Sequence, residues 1–237
     1  MDSAVPTVAP LPPAKERRRR YRQEMVDAIL AAARAVMREQ GVAALNLNEV
    51  ARRLGVSGQA LAKYFPNKAA LYDALSLTGH RLFREADEEV WHTTAPDWDR
   101  IRSWFERRFA LACAHPDLYT LIWGGGVPGF APSEASQDDI RLMLAGVRQG
   151  IGAVIAAGNL DAGLPPERVV DVLMAVRHGV IAEYLGKREL LPPGSDRFLD
   201  LVPDVVATLE RAWAPRRRSR RTIATPAATG GEGGGAA

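Results

Sequence analysis

The 237 residues are 47% hydrophobic, with one cysteine, Cys113, and four scattered histidines. A sizeable core is therefore available, while a disulfide framework and a cysteine metal cluster are excluded. The net charge of +3 hides an asymmetry: residues 15–68 hold 12 basic and 5 acidic residues, residues 69–214 hold 14 and 21, and the segment after Ala214 adds five arginines. A basic N-terminal third on an acidic body points to one end that meets a polyanion. No run approaches the roughly 18 apolar residues of a membrane span, and no signal-peptide core opens the chain, so a cytoplasmic protein with no membrane partner is expected.

Val and Ile sit inside Ala/Leu/Arg-rich runs at helical spacing, which predicts an all-α fold of about nine helices. Residues 1–21 read as a disordered basic arm, Pro/Ala-rich and then Arg-rich. Its Arg19 and Arg20 either form a solvated charge run or contact phosphates or a minor groove. The first helix is expected from about Gln23 to Gln40, with Met25, Ile29, Ala32, Ala33, Val36 and Met37 inward and Gly41 at its end.

Residues 46–66 then spell two short helices around a tight turn. Asn46 is an N-cap, with Glu49 placed for a capping box. Gly55 stops the first helix in a left-handed conformation, and Ser57 caps the second, which runs towards Phe65 before Pro66 ends it. The spacing Ala51, Gly55, Leu61 suits a helix-turn-helix. Its second helix would present Gly58, Gln59, Ala60, Lys63 and Tyr64 to a DNA major groove. A fourth helix, from Asn67 or Lys68 to about Trp91, is long enough to leave that head and enter a second domain.

Further helices are expected at about Asp97 to Ala114, Pro116 to Trp123, Ser136 to Ala157, Pro166 to Lys187 and Asp196 to Trp213. The last two are apolar on more than one side, which calls for a partner subunit. The glycine-rich loop 124–129 lacks a preceding strand and a GxxxxGK[ST] pattern, so it reads as a connection. Asp87, Glu88 and Glu89 point to different sides of one helix, and no HExxH or CxxC occurs; no metal and no cofactor are expected. No nucleophile–base pair stands out, which argues against an enzyme. Residues 215–237 read as a disordered Arg-rich, then Gly/Ala-rich tail.

Residues 22–72 resemble the DNA-binding domain of TetR-family transcriptional regulators, through Ile29-Leu30-Ala31-Ala32-Ala33, Glu39-Gln40-Gly41, Glu49-Val50-Ala51, Leu54-Gly55-Val56-Ser57, Leu61, Tyr64-Phe65-Pro66-Asn67-Lys68 and Leu71. His115-Pro116-Asp117-Leu118-Tyr119 and His178-Gly179 look like phrases of one C-terminal subfamily. The resemblance implies a DNA-binding head at 22–68 and a ligand-binding and dimerisation domain at 69–214. It implies a homodimer through the eighth and ninth helices, a small-molecule effector enclosed by helices five to eight, and release of operator DNA when that effector tilts the fourth helix. The family commonly has tyrosine at Ala62, a basic residue at Gly58, and Thr and polar residues at Asn46 and Asn48. The alternative reading is a dimeric helical ligand-binding protein whose DNA-binding head is weakened or lost.

On the DNA face, Gln59 and Ala60 are candidate base readers. Lys63, Tyr64 and Lys68 are candidate phosphate contacts, with Asn46 and Ser57 offering polar groups. Tyr64 equally fits a packing role against the first helix. Pocket candidates are Trp104, Phe105, Arg108, Tyr119, Trp123, Phe130, Met143, Val147, Met174, Arg177 and His178. Arg177 and His178 interrupt an apolar helix, and a buried charge needs a partner: an acidic side chain, an anionic ligand or the other subunit. Dimer candidates are Val180, Tyr184, Phe198, Val202, Val205 and Leu209, with Gly179 allowing close helix approach.

Overall fold

Every regular element among the described residues is helical. The computed structural model describes residues 13–125, 127–161, 163–190, 192 and 197–215, with backbone alone at 197–199. The helices are α1 (Ala14–Gln40), α2 (Leu47–Leu54), α3 (Gly58–Ala62), α4 (Lys68–Thr93), α5 (Trp98–Ala114), α6 (Pro116–Trp123), α7 (Glu134–Ala156), α8 (Pro166–Lys187) and α9 (Arg197–Trp213), with short 3-10 turns at Val42–Ala44 and Arg188–Leu190.

One boundary corrects the sequence reading. Helix α1 begins at Ala14 rather than near Gln23, so Lys15 to Arg22 is helix and not an irregular arm. After Pro13 the run contains no breaker, and Arg, Lys and Glu are strong helix formers. Arg20 also pairs with Glu24 one turn on, at 3.2 Å. Residues 1–12 of the expected arm, and the tail from residue 216, lie outside the described residues.

The head is α1 to α3, closed over Ile29, Ala33, Val36, Leu45, Val50, Leu61 and Phe65, all buried. Gly55 takes φ 65° and ψ 27°, the left-handed conformation that lets the chain turn between α2 and α3. The Val56 amide then donates to Ala51 O at 3.1 Å, a Schellman-type closure. Asn46 caps α2 by accepting from the Asn48 amide at 2.9 Å. The expected capping box does not close. Glu49 accepts instead from Arg52 and Arg53, at 2.8 Å each.

Helix α4 spans about 39 Å at 1.5 Å per residue. Its first turns bury Leu71, Tyr72 and Leu75. The Tyr72 hydroxyl donates to Val42 O of the head at 2.6 Å. Its later turns bury Phe83 and Val90, and α4 packs on α5, α6 and α7. Gly150 on α7 permits this closeness, because a Cβ there would collide with the Trp91 ring. Helix α9 packs on α5 and α8. That packing corrects one interface expectation: Val202 is 1% exposed and belongs to the chain's own core.

Candidate DNA-binding head and effector cavity

Helix α3 has five residues, ending at Ala62 rather than running to Phe65. Pro66 disfavours helix at the residue before it, so the chain closes with Tyr64 and Phe65 amides both donating to Leu61 O. Gln59 and Lys63 stand exposed on this face. Gly58 is exposed too, and a Cβ there would meet only Asn48 Oδ1, at 3.8 Å. The basic start of α1 runs beside it: Arg22 lies over the Tyr64 ring, 5.2 Å from its centroid. Arg17, Arg18, Tyr21 and Tyr64 border one open groove.

A charged hook joins the head to the body. Arg34 of α1 donates from Nε to Asp117 Oδ2 at 2.7 Å and from Nη2 to Oδ1 at 3.2 Å. Asp117 sits in the first turn of α6, with its side chain fully buried. Arg34 Nη2 also lies 2.9 Å from His115 Nδ1. Burial, and then the charge of Arg34, hold the His115 pKa below its ordinary value, so Nδ1 is free to accept.

Helix α6 also walls the interior. Trp123 at its end separates two clefts. One, of about 330 Å³, is lined by Ser76, His80, Phe130, Met143, Met174 and other apolar side chains. The second, of about 300 Å³, is lined by Tyr119, Trp123, His178 and Leu185. The Tyr119 hydroxyl and His178 Nδ1 share a 2.6 Å hydrogen bond. Burial, with Arg177 and Arg108 adding, pushes the His178 pKa down to about 3. Burial raises Tyr119 to about 12. Both groups are therefore neutral at neutral pH.

Behind this wall lie two buried guanidiniums. Arg108 pairs with Asp87 and stacks against Phe83 and Trp123, with ring centroids 4.8 and 5.1 Å away. Arg177 lies 3.8 Å from the Trp104 ring centroid, and its Nε and Nη1 have no hydrogen-bond acceptor. Burial, with Arg108 adding, holds its pKa down to about 9, so it keeps its charge at neutral pH. Among the described residues, no helix is long and apolar enough to cross a membrane, and no group of three or more His, Cys, Asp or Glu is placed to hold a metal ion.

Residues 29–75 match the model of the tetR family of bacterial regulatory proteins. The DNA-binding head of this chain is of the tetR type. Solved structures share the fold over about four fifths of this chain. A protein of unknown function from Rhodococcus sp. RHA1 is 25% identical with a TM-score of 0.66, over 80% of this chain and 95% of that one. A regulatory protein in the tetR family from Rhodococcus RHA1 is 18% identical, TM-score 0.63, over 81% and 97%. The transcriptional regulator FadR from Bacillus subtilis, in complex with stearoyl-CoA, is 17% identical, TM-score 0.61, over 78% and 97%. No curated protein matches the sequence.

Within this chain the candidate residues sort clearly. On the head, Gln59 and Lys63 are uncommitted, and Ala60 is half-buried. Asn46 and Ser57 spend their side-chain oxygens on caps. Lys68 donates to Ala43 O at 2.9 Å and lies over the Tyr72 ring. Tyr64 packs half-buried on the core. Arg19 is exposed on α1. In the body, Tyr119, Trp123, Phe130, Met143, Met174 and His178 line clefts. Trp104, Phe105 and Val147 are sealed in the core. Arg177 is 2% exposed, which places it beyond reach of another subunit. Val180, Tyr184, Val205 and Leu209 are half-buried against the core. Phe198 lies outside the described side chains.

The sequence reading missed the hook and two cleft residues. Arg34 and Arg38 share a helical face one turn apart, both ion-paired to Asp117, at 2.7 and 3.9 Å. That paired spacing was the available signal. Ser76 and His80 are likewise one turn apart amid the apolar residues of α4, and His80 Nδ1 has no hydrogen-bond partner.

Proposed function

We propose that this protein is a cytoplasmic, homodimeric repressor that leaves its operator when a small molecule enters the body, and that it is not an enzyme. The observation that carries this reading is the double duty of α6. Asp117 at one end grips Arg34 of the head, while Tyr119 and Trp123 wall the clefts. An occupant that displaces Trp123 moves α6, and with it the carboxylate that fixes α1. Helix α4 touches α6 as well: a Cβ at Gly79 would fall 2.5 Å from Ile122. A shift of α6 therefore presses on the helix that joins head to body. The stearoyl-CoA held by the Bacillus subtilis FadR supports a small-molecule effector for this chain.

Exposed Gln59 and Lys63 are the base-reading and phosphate-contacting residues of this reading, with the basic start of α1 adding phosphate contacts. The dimer forms through α8 and α9. The outer face of α8 carries exposed Ala175, Gly179, Ala182 and Gly186, and α9 carries Leu201, 38% exposed. Two heads then span half-sites about 34–36 Å apart, so a small tilt breaks the fit. Selection of bound fragments from genomic DNA, followed by a compound screen for release, tests the proposal. Salt-dependent binding that a compound reverses supports it. Absence of binding to any fragment at low salt would favour a ligand-binding protein with a lost head.

A further inference from the structure

Two buried arginines behave differently from a third. Arg100 is structural: Nη2 donates to Trp91 O at 3.1 Å and to Thr94 O, and Nε donates to Thr94 Oγ1 at 3.2 Å. Arg108 has Asp87, yet its Nε and Nη1 have no acceptor. Arg177 is 2% exposed and has a tryptophan face in place of a carboxylate. The other buried carboxylates are engaged elsewhere: Asp117 with Arg34, and Asp139 with Arg81 at 3.6 Å. The cluster at Arg108, Arg177 and Asp87 therefore holds two positive charges against one negative. A buried charge without a partner costs several kcal/mol, so a site that keeps one is set to receive a counter-charge.

We propose that the body binds a monoanionic carboxylate with an apolar tail, its carboxylate held by Arg177 and Arg108 beneath Trp123. This rests on the effector reading above and names the chemistry of that effector. One unmatched positive charge selects a monoanion; a phosphate dianion would leave a buried negative charge in its place. Neutral His178 and His80 add no second positive charge. Access runs through Trp123, the shared wall of the two clefts, whose ring covers the Arg108 guanidinium. Swinging that ring aside joins the clefts and opens them onto the guanidinium behind it. The tail then lies among Phe130, Ile140, Met143 and Met174, an apolar lining of the usual kind for ligand sites. Bidentate carboxylate recognition suits the planar guanidinium fork.

The test uses the full chain and its own tryptophan fluorescence, since Trp104 and Trp123 touch the two guanidiniums. Octanoate, 1-octanol and octyl phosphate are titrated at constant ionic strength into wild type, Arg177→Met and Arg177→Lys. Octanoate should bind at least about tenfold tighter than the other two, a preference worth about 1.4 kcal/mol. Arg177→Met should lose the preference while still binding octanol, and Arg177→Lys should keep part of it. Arg177→Met should also unfold at a higher temperature than wild type, since it removes an unmatched buried charge. Equal affinities, tighter octyl phosphate, undetectable octanoate binding, or a lowered Tm in Arg177→Met would each overturn the proposal. DNA affinity is read separately. Octanoate binding with DNA affinity unchanged keeps the carboxylate site and removes its effector role. DNA release by octanol as readily as by octanoate overturns the site and keeps the regulator.

Discussion

The head and the body handle charge in opposite ways. In the head the buried side chains are apolar, and the ion pairs among α1, α2 and α3 lie towards the surface, Arg52 and Arg53 with Glu49, and Arg53 with Glu39. The body buries arginines, a tyrosine–histidine pair and an unpartnered histidine nitrogen among its aromatic rings. A saturated apolar core gives the head one rigid shape, which DNA reading needs. Unsatisfied polar groups cost stability and are retained where something else satisfies them. Under the proposed function, the head supplies shape and the body supplies response.

The largest expected effect breaks the head. Leu61→Ala removes a side chain 1% exposed in the core of the head and should cost about 2–5 kcal/mol, with DNA binding lost, as read by urea unfolding and fluorescence anisotropy. Next comes the joint between the regions. Asp117→Ala leaves Arg34 and Arg38 without their carboxylate. It should cost about 2–3 kcal/mol, below the roughly 3–5 of a fully buried pair because Arg34 keeps 19% of its side chain exposed.

A third prediction concerns the body alone. His178 is held at a pKa of about 3, so the folded chain stays unprotonated where the unfolded chain, near 6.5, takes a proton. Protons bound only by the unfolded state make stability fall with acidification. Stability is full above pH about 6.5 and is lost towards pH 3, at up to about 1.4 kcal/mol per pH unit. His178→Asn should flatten this slope in urea melts between pH 7 and 5. The smallest effect returns to the head surface. Lys63→Ala should weaken binding on every DNA sequence and lower the salt slope by about one, with stability unchanged.

Much of the head was legible because its signals are local. Gly55, Ser57 and Pro66 each impose a backbone state, and the spacing of Ile29, Ala33 and Val36 fixes a buried face. The start of α1 is not legible, because a charge run carries the signature of disorder, although arginine and lysine favour helix where nothing breaks it. Helix α3 stops short because Pro66 constrains Phe65. The site in the body was legible only in part. Arg177 stood out as a charge in an apolar helix, but its Trp104 neighbour lies on α5, far away in sequence. The hook between Arg34 and Asp117 is a long-range pair, and only the fold brings its ends together. The place of Val202 in the chain's own core is not legible, because sequence periodicity marks a buried face without saying what buries it.

The claim that an event at Trp123 reaches the head through Arg34 and Asp117 is open to a direct test. A double-mutant cycle would measure affinity for a selected DNA fragment in wild type, Trp123→Ala, Arg34→Met and the double variant. Trp123→Ala should change affinity in the wild-type background and do little once Arg34 is gone, a coupling above about 0.5 kcal/mol. Effects that add within about 0.3 kcal/mol would mean that the hook carries no signal, and would contradict the account.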